Sequence, residues 1–173
     1  MRRLQLAGLL VAMPLLAAAD SHRDLGKKEG ACRPHERGPA LIVKAVGLKD
    51  RAGNLKLEVY PPEDPDFLAP DAELVAAGKV FRRVEVPVPA AAEPLLCIRV
   101  PAPGTYTLVL LHDRDGDHRF EWQGDGIGFG SNPRLGLGQP KAAEARVIGG
   151  RGLTRVTIVL NYLRAMRMQP LKD

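Results

Sequence analysis

Gly104-Thr105-Tyr106-Thr107-Leu108-Val109-Leu110-Leu111-His112 is apolar or threonine almost throughout, with Pro103 before it and a cluster of acids and glycine after it. A short, nearly continuous apolar run without a helical period reads as a central strand covered on both faces. Such a strand needs apolar layers around it, and its neighbours supply them. Asn54-Leu55-Lys56-Leu57-Glu58-Val59-Tyr60 alternates strictly, which assigns Leu55, Leu57 and Val59 to a core and Lys56 and Glu58 to solvent. Leu41-Ile42-Val43-Lys44-Ala45-Val46 is a second short β-branched run, and the turn-forming Arg51-Ala52-Gly53-Asn54 predicts that the two form a hairpin or a neighbouring pair. Residues 80–86 and 95–100 continue the set, and Pro87, Pro89, Pro94 and Pro101 place them near sheet edges. Residues 144–148 and 153–162 complete it, joined by Gly149-Gly150-Arg151-Gly152. Only residues 67–79 have room for one or two helical turns, with Leu68, Leu74 and Val75 as inward positions. The expectation is an all-β chain: a single antiparallel β-sandwich of about seven strands over residues 39–165, followed by a tail over 166–173.

Composition agrees. The 173 residues suit one domain, 18 glycines and 15 prolines suit strands and turns, and 5% aromatics require a mainly aliphatic core. At 45% hydrophobic and 26% charged, the chain is neither a disordered polymer nor a polytopic membrane protein. The net charge of +5 includes Arg2 and Arg3, and the remaining Lys and Arg are spread rather than striped, so no nucleic-acid partner is expected. Met1-Arg2-Arg3, the uncharged run from Leu4, and Ala17-Ala18-Ala19 have the order of a signal peptide over residues 1–19. The run contains Pro14 and is shorter than the roughly 20 residues of a spanning helix, so no transmembrane segment is expected in the mature chain. Residues 20–38 then form a polar, loosely tied arm in an exported, periplasmic or secreted protein. In an oxidising compartment Cys32 and Cys97, the two cysteines, are expected to pair.

His112-Asp113-Arg114-Asp115-Gly116-Asp117-His118-Arg119-Phe120-Glu121-Trp122 follows the central run directly. Asp113, Asp115 and Asp117, with Glu121, have the alternate spacing that converges oxygens on a hard cation, so Ca²⁺ is the cofactor this turn would take. The pattern opens like an EF-hand loop and then departs from it, with His118 at the glycine position and Gly124 at the glutamate position. The alternative is a polar turn in which Asp113 and Asp115 accept backbone N–H bonds, Gly116 supplies a positive φ, and Arg114 and Arg119 neutralise the acids. His112 and His118 are candidate ligand-facing groups, and a hydrolase with either as general base is the enzymatic alternative. Trp122, Phe120 and Phe129 form either a cap on the sandwich or the lining of a groove. With no nucleophile elbow or phosphate-binding glycine loop, the leading function is a non-enzymatic exported module that binds a protein, a glycan or an envelope component.

In combination, Pro103-Gly104-Thr105-Tyr106 entering the apolar strand, His112-Asp113 with its acidic glycine turn, and Gly128-Phe129-Gly130-Ser131-Asn132 resemble the bacterial exported family of domain of unknown function 2141. Residues 41–48, 49–54 and 55–60 resemble its N-terminal hairpin, and the likeness covers about residues 39–163. The sequence departs at His118, where the family tends to have glycine, and at Gly130, which interrupts a Gly-Phe-Ser-Asn segment. The resemblance implies an exported, transthyretin-like or prealbumin-like sandwich with no established activity, and the strand pattern by itself fits a prealbumin-like or immunoglobulin-like one.

Overall fold

The structure, a computed structural model, describes residues 23–136 and 138–171; the leader expected over residues 1–19 lies outside them. The described strands are β1 (Ala40–Val46), β2 (Asn54–Tyr60), β3 (Arg82–Pro87), β4 (Leu95–Arg99), β5 (Gly104–Asp113), β6 (Gly126–Phe129), β7 (Arg146–Gly149), β8 (Leu153–Val159), β9 (Asn161–Arg164) and β10 (Arg167–Pro170). Two short helices, α1 (Lys27–Gly30) and α2 (Asp71–Ala76), accompany them. The all-β expectation holds, with two sheets compatible with a prealbumin-like sandwich. One has the order β4-β1-β8; the other runs β10-β9-β6-β5-β2-β3, and β7 also pairs with β5. The central apolar run is β5, which lies inside the larger sheet.

Three expectations are corrected. β1 and β2 are not a hairpin but lie in opposite sheets, β1 against β4 and β8, β2 against β3 and β5. Each carries one apolar face, and crossing the sandwich over residues 47–53 turns Leu41, Val43 and Ala45 toward Leu55, Leu57 and Val59 across one core. Alternation is the same for strands that lie side by side and for strands that lie face to face. Second, the sandwich is not purely antiparallel, because β1 and β8 run parallel, with Ala40 opposite Leu153 and Val46 opposite Val159. Third, the described residues form ten strands rather than about seven. Residues 153–162 divide at Leu160, where the chain leaves the small sheet as β8 and enters the large one as β9. Residues 167–170, assigned to a tail, pair with β9 as an edge strand.

β6 was hidden by its glycines. A Cβ on Gly128 would sit 2.5 Å from Ile158 Cγ2 and 2.6 Å from the Val159 carbonyl, because the crossing chain lies directly on this strand. A strand in such a place carries glycine for close approach, against its usual propensity.

β5 is covered on both faces. Leu108 and Leu110 join the core between the sheets, and Val109 joins a second cluster with Tyr60, Phe67, Leu74, Phe81 and Phe129 on the outer side of the large sheet. The connection carrying α2 provides that outer cover. Leu74 is inward as expected, but Val75 is 43% exposed. The same cover buries Glu58, which alternation sent to solvent: it accepts hydrogen bonds from Tyr60 Oη (2.8 Å) and Arg83 Nε (2.7 Å).

The proline-flanked strands β3 and β4 are sheet edges, one in each sheet. The arm does not hang loose beside them. Cys32 is disulfide-bonded to Cys97, Ala31 bridges Ile98, and Arg83 N–H donates to the Gly26 carbonyl, so α1 packs against both edge strands. Covering two edges with one helix blocks unwanted strand pairing there. The bond spans 65 residues of sequence. Replacing both cysteines by serine is therefore expected to lower unfolding free energy by about 4 kcal/mol in urea titration. Equal stability of the two forms would mean that the arm is held by its packing alone.

Candidate functional site

The acidic turn grows out of the last residues of β5. Asp113 is fully buried, and its carboxylate accepts N–H bonds from Gly116 (2.9 Å) and His118 (3.0 Å). Asp115 accepts from Asp117 N–H and Asp117 from Arg119 N–H, while Gly116 has the expected positive φ of 76°. Asp125, which sequence reading passed over, closes the turn from its far end by accepting from the N–H groups of Arg114 and Glu121, each at 3.0 Å. Arg114 does not neutralise the turn acids as expected. Its side chain donates to Asp50 and to the Gly124 carbonyl, tying the turn to the preceding 47–53 loop.

These bonds satisfy the polar-turn reading without dispersing the carboxylates. One oxygen from each of Asp113, Asp115 and Asp117 lies within 4.8 Å of the others. Glu121, the fourth expected ligand, joins neither cluster of close metal-ligating atoms among the described residues. Burial first, then the neighbouring Asp125 and Asp115, push the Asp113 carboxyl upward against the pull of its two N–H donors.

His118 occupies the left-handed region at φ 69°, which accounts for glycine being the easier residue at this position. Its Nδ1 lies 2.7 Å from Glu85 Oε1, and Glu85 also meets Lys27 at 3.2 Å. Against burial, which raises it, these two partners hold the Glu85 carboxyl below its usual range. His118 and Glu85 line a polar cleft of about 240 Å³ with Lys56, Arg83, Asp117 and Arg119, and among the described residues no serine, threonine or cysteine lines it.

His112 belongs to a different structure. It is fully buried, with Nε2 2.9 Å from the Ala52 carbonyl and Nδ1 2.7 Å from Tyr162 Oη. A carbonyl only accepts, so Nε2 carries the proton and Nδ1 accepts from the tyrosine, whose oxygen in turn accepts the Lys49 N–H at 3.0 Å. This chain of bonds fixes the tautomer of a neutral imidazole. Burial holds its pKa below the usual histidine value, against the Ala52 bond and nearby Asp50, and burial pushes Tyr162 up to about 12. His112 is thus not ligand-facing; it fastens β5 to β9 and to the 47–53 loop.

The aromatic residues do line a groove. Phe120 and Trp122 stand 5.7 Å apart, and with Leu68, Phe129, Leu135 and Met168 they line an open apolar groove of about 290 Å³. Trp122 is 41% exposed, whereas Phe129 is buried at the groove floor. Leu68, Leu135 and Met168 were missed as site residues. The only signal at Leu135 was an apolar residue within a Gly- and Pro-rich loop, and Met168 lay in the supposed tail.

Comparison with known protein families matches residues 43–157 to a family described as "Uncharacterized protein conserved in bacteria (DUF2141)". No curated protein and no solved structure matches the chain.

The His112 network has a pH signature. Unfolded histidine titrates near 6.5 and folded His112 below it, so between these values the unfolded state binds more protons. Stability from this group is complete above about pH 6.5 and falls as pH drops toward the folded value. Urea titrations between pH 7.5 and 5 are expected to show a shallower pH dependence in His112→Gln than in the parent chain; parallel curves would remove His112 as the cause. Tyr162→Phe leaves two donors or acceptors unpaired and is expected to cost about 2 kcal/mol.

Proposed function

The chain belongs to the uncharacterized bacterial family DUF2141, and we propose that it is an exported, non-enzymatic module that binds its ligand in the groove walled by Phe120 and Trp122. The observation that carries this reading is the groove itself: an apolar concavity with a large aromatic side chain 41% exposed at its wall. Tryptophan is highly buried on average, and apolar patches open to solvent are typical of binding surfaces. The ligand is accordingly a protein, glycan or envelope component with an apolar part. Export is supported by the Cys32–Cys97 bond, a kind that persists in oxidising compartments, and by the signal-peptide pattern of residues 1–19. Among the described residues no helix is long and apolar enough to cross a membrane. A non-enzymatic role is supported by His112, whose two nitrogens are already bonded inside the core.

The groove is tested with a neutral apolar dye such as phenylnaphthylamine, whose emission rises on leaving water. Saturable enhancement by the folded protein is expected, with affinity weakened about tenfold in Trp122→Ala. No enhancement, or enhancement equal in the variant, defeats the reading.

A second reading concerns the turn. Convergence of Asp113, Asp115 and Asp117 favours a Ca²⁺-stabilised turn, with backbone carbonyls and water completing the six to eight oxygens that Ca²⁺ prefers. At a hundred times its dissociation constant, Ca²⁺ would then add about 2.7 kcal/mol, seen as a higher melting temperature than in EDTA. Asp115→Ala, an exposed substitution, is expected to abolish the rise. An unchanged melting temperature with Ca²⁺ leaves the turn to its backbone bonds.

A further inference from the structure

The apolar groove does not end at Leu135 and Met168. The same two residues also line a neighbouring hollow of about 450 Å³, bounded by residues 132–135 and by β10. The character changes along this line. Next to Trp122 the side chains are apolar apart from Gln139 and the indole N–H. Beyond Met168 the lining carries Arg134 and Arg167, with Asn132 and Gln169 beside them. Among the described residues no carboxylate lines either part, and neither arginine has an ion pair or a side-chain hydrogen bond. Both arginines are exposed.

Resting on the groove reading above, we infer that the ligand is a single-chain anionic amphiphile, its acyl chain laid along Trp122 and Phe120 and its carboxylate or phosphate head held by Arg134 and Arg167. Charge complementarity decides the head: two unpaired guanidinium groups at one end of an otherwise uncharged groove favour an anion, and their planar forks match carboxylate and phosphate oxygens. The tail is decided by hydrogen-bonding capacity. A peptide laid beside Trp122 would bury backbone N–H and C=O groups where the side chains offer few partners, at a cost for each group left unpaired. An acyl chain has no such groups, and each methylene it buries adds favourable transfer energy.

The experiment displaces phenylnaphthylamine from the intact protein with four twelve-carbon amphiphiles below their micellar concentrations: laurate, dodecyl phosphate, dodecyl maltoside and dodecyltrimethylammonium. Laurate or dodecyl phosphate is expected to compete about tenfold more strongly than the neutral maltoside, and the cation more weakly than either. Whichever anion is stronger identifies the head as carboxylate or phosphate. The preference should shrink in high salt and disappear in Arg134→Gln/Arg167→Gln, with maltoside displacement unchanged. Affinity should rise about fourfold per methylene from the eight- to the twelve-carbon acid. Equal competition by anionic and neutral heads overturns the assignment of the head while the dye signal keeps the groove reading intact. Displacement by an acidic apolar peptide, with no amphiphile competing, overturns the ligand class. Absence of dye binding from the start is instead the failure of the groove reading itself.

Discussion

Burial of β5 on both faces is the constraint from which the other features of the molecule follow. Its even positions Leu108 and Leu110 require the small sheet opposite, and Val109 requires cover on the outer side. The first demand brings β1, β4 and β8 together across the core. The second is met by the 61–81 connection, which lays Phe67, Leu74 and Phe81 over Tyr60 and Val109. Ala142 and Ala145 complete that outer layer, with Leu25 packed against it. Beside β6, Leu68 of the 61–81 connection meets Leu135, Phe120 and Trp122, and the groove lies between them.

The polar end of β5 obeys the same constraint. A strand that runs on beneath loops carries its last side chains into a dry place, and His112 and Asp113 are both fully buried there. Buried polar groups persist when every donor and acceptor finds a partner. Tyr162 and the Ala52 carbonyl satisfy His112, and the N–H groups of Gly116 and His118 satisfy Asp113. Residues that look catalytic in the sequence thus fasten two loops and strand β9 to the core. Asn132 does a similar task at the other end of the resemblance motif: its side chain donates to the Thr157 carbonyl and accepts the Val159 N–H, pairing with β8 as one more residue of strand would.

This division explains what was legible in the sequence. Patterns local to one element came through: the apolar face of β2, the continuous run of β5, and the prolines that mark β3 and β4 as edges; the cysteine pair came through from its even count. Features set by distant chain did not. The alternation of β1 cannot say which sheet it joins, because its apolar face suits either side of the core. Gly126 and Gly128 disguise β6 because Tyr162 and Ile158, distant in sequence, occupy the space their side chains would need. The acidic turn was legible as a turn but not as a choice between caps and ligands, since aspartate at alternate positions serves both. The groove was half legible. Phe120, Trp122 and Phe129 are neighbours in sequence, but Leu68 and Met168 reach them only through the fold.

The acidic turn and the groove are also mechanically one segment. Asp113 fixes the chain at residues 116 and 118, and Asp125 fixes it at 114 and 121, so the stretch carrying Phe120 and Trp122 is held at both ends by buried carboxylates. A cation drawn to Asp113, Asp115 and Asp117 would order the wall against which an apolar ligand lies. Ordering that wall in advance removes part of the entropy that a ligand must otherwise overcome. By reciprocity, a ligand that favours the ordered wall favours the cation to the same degree. The two readings of this segment are therefore not rivals: the carboxylates hold the stretch that carries Trp122 whether or not an ion joins them, and Trp122 is the residue proposed to meet the ligand.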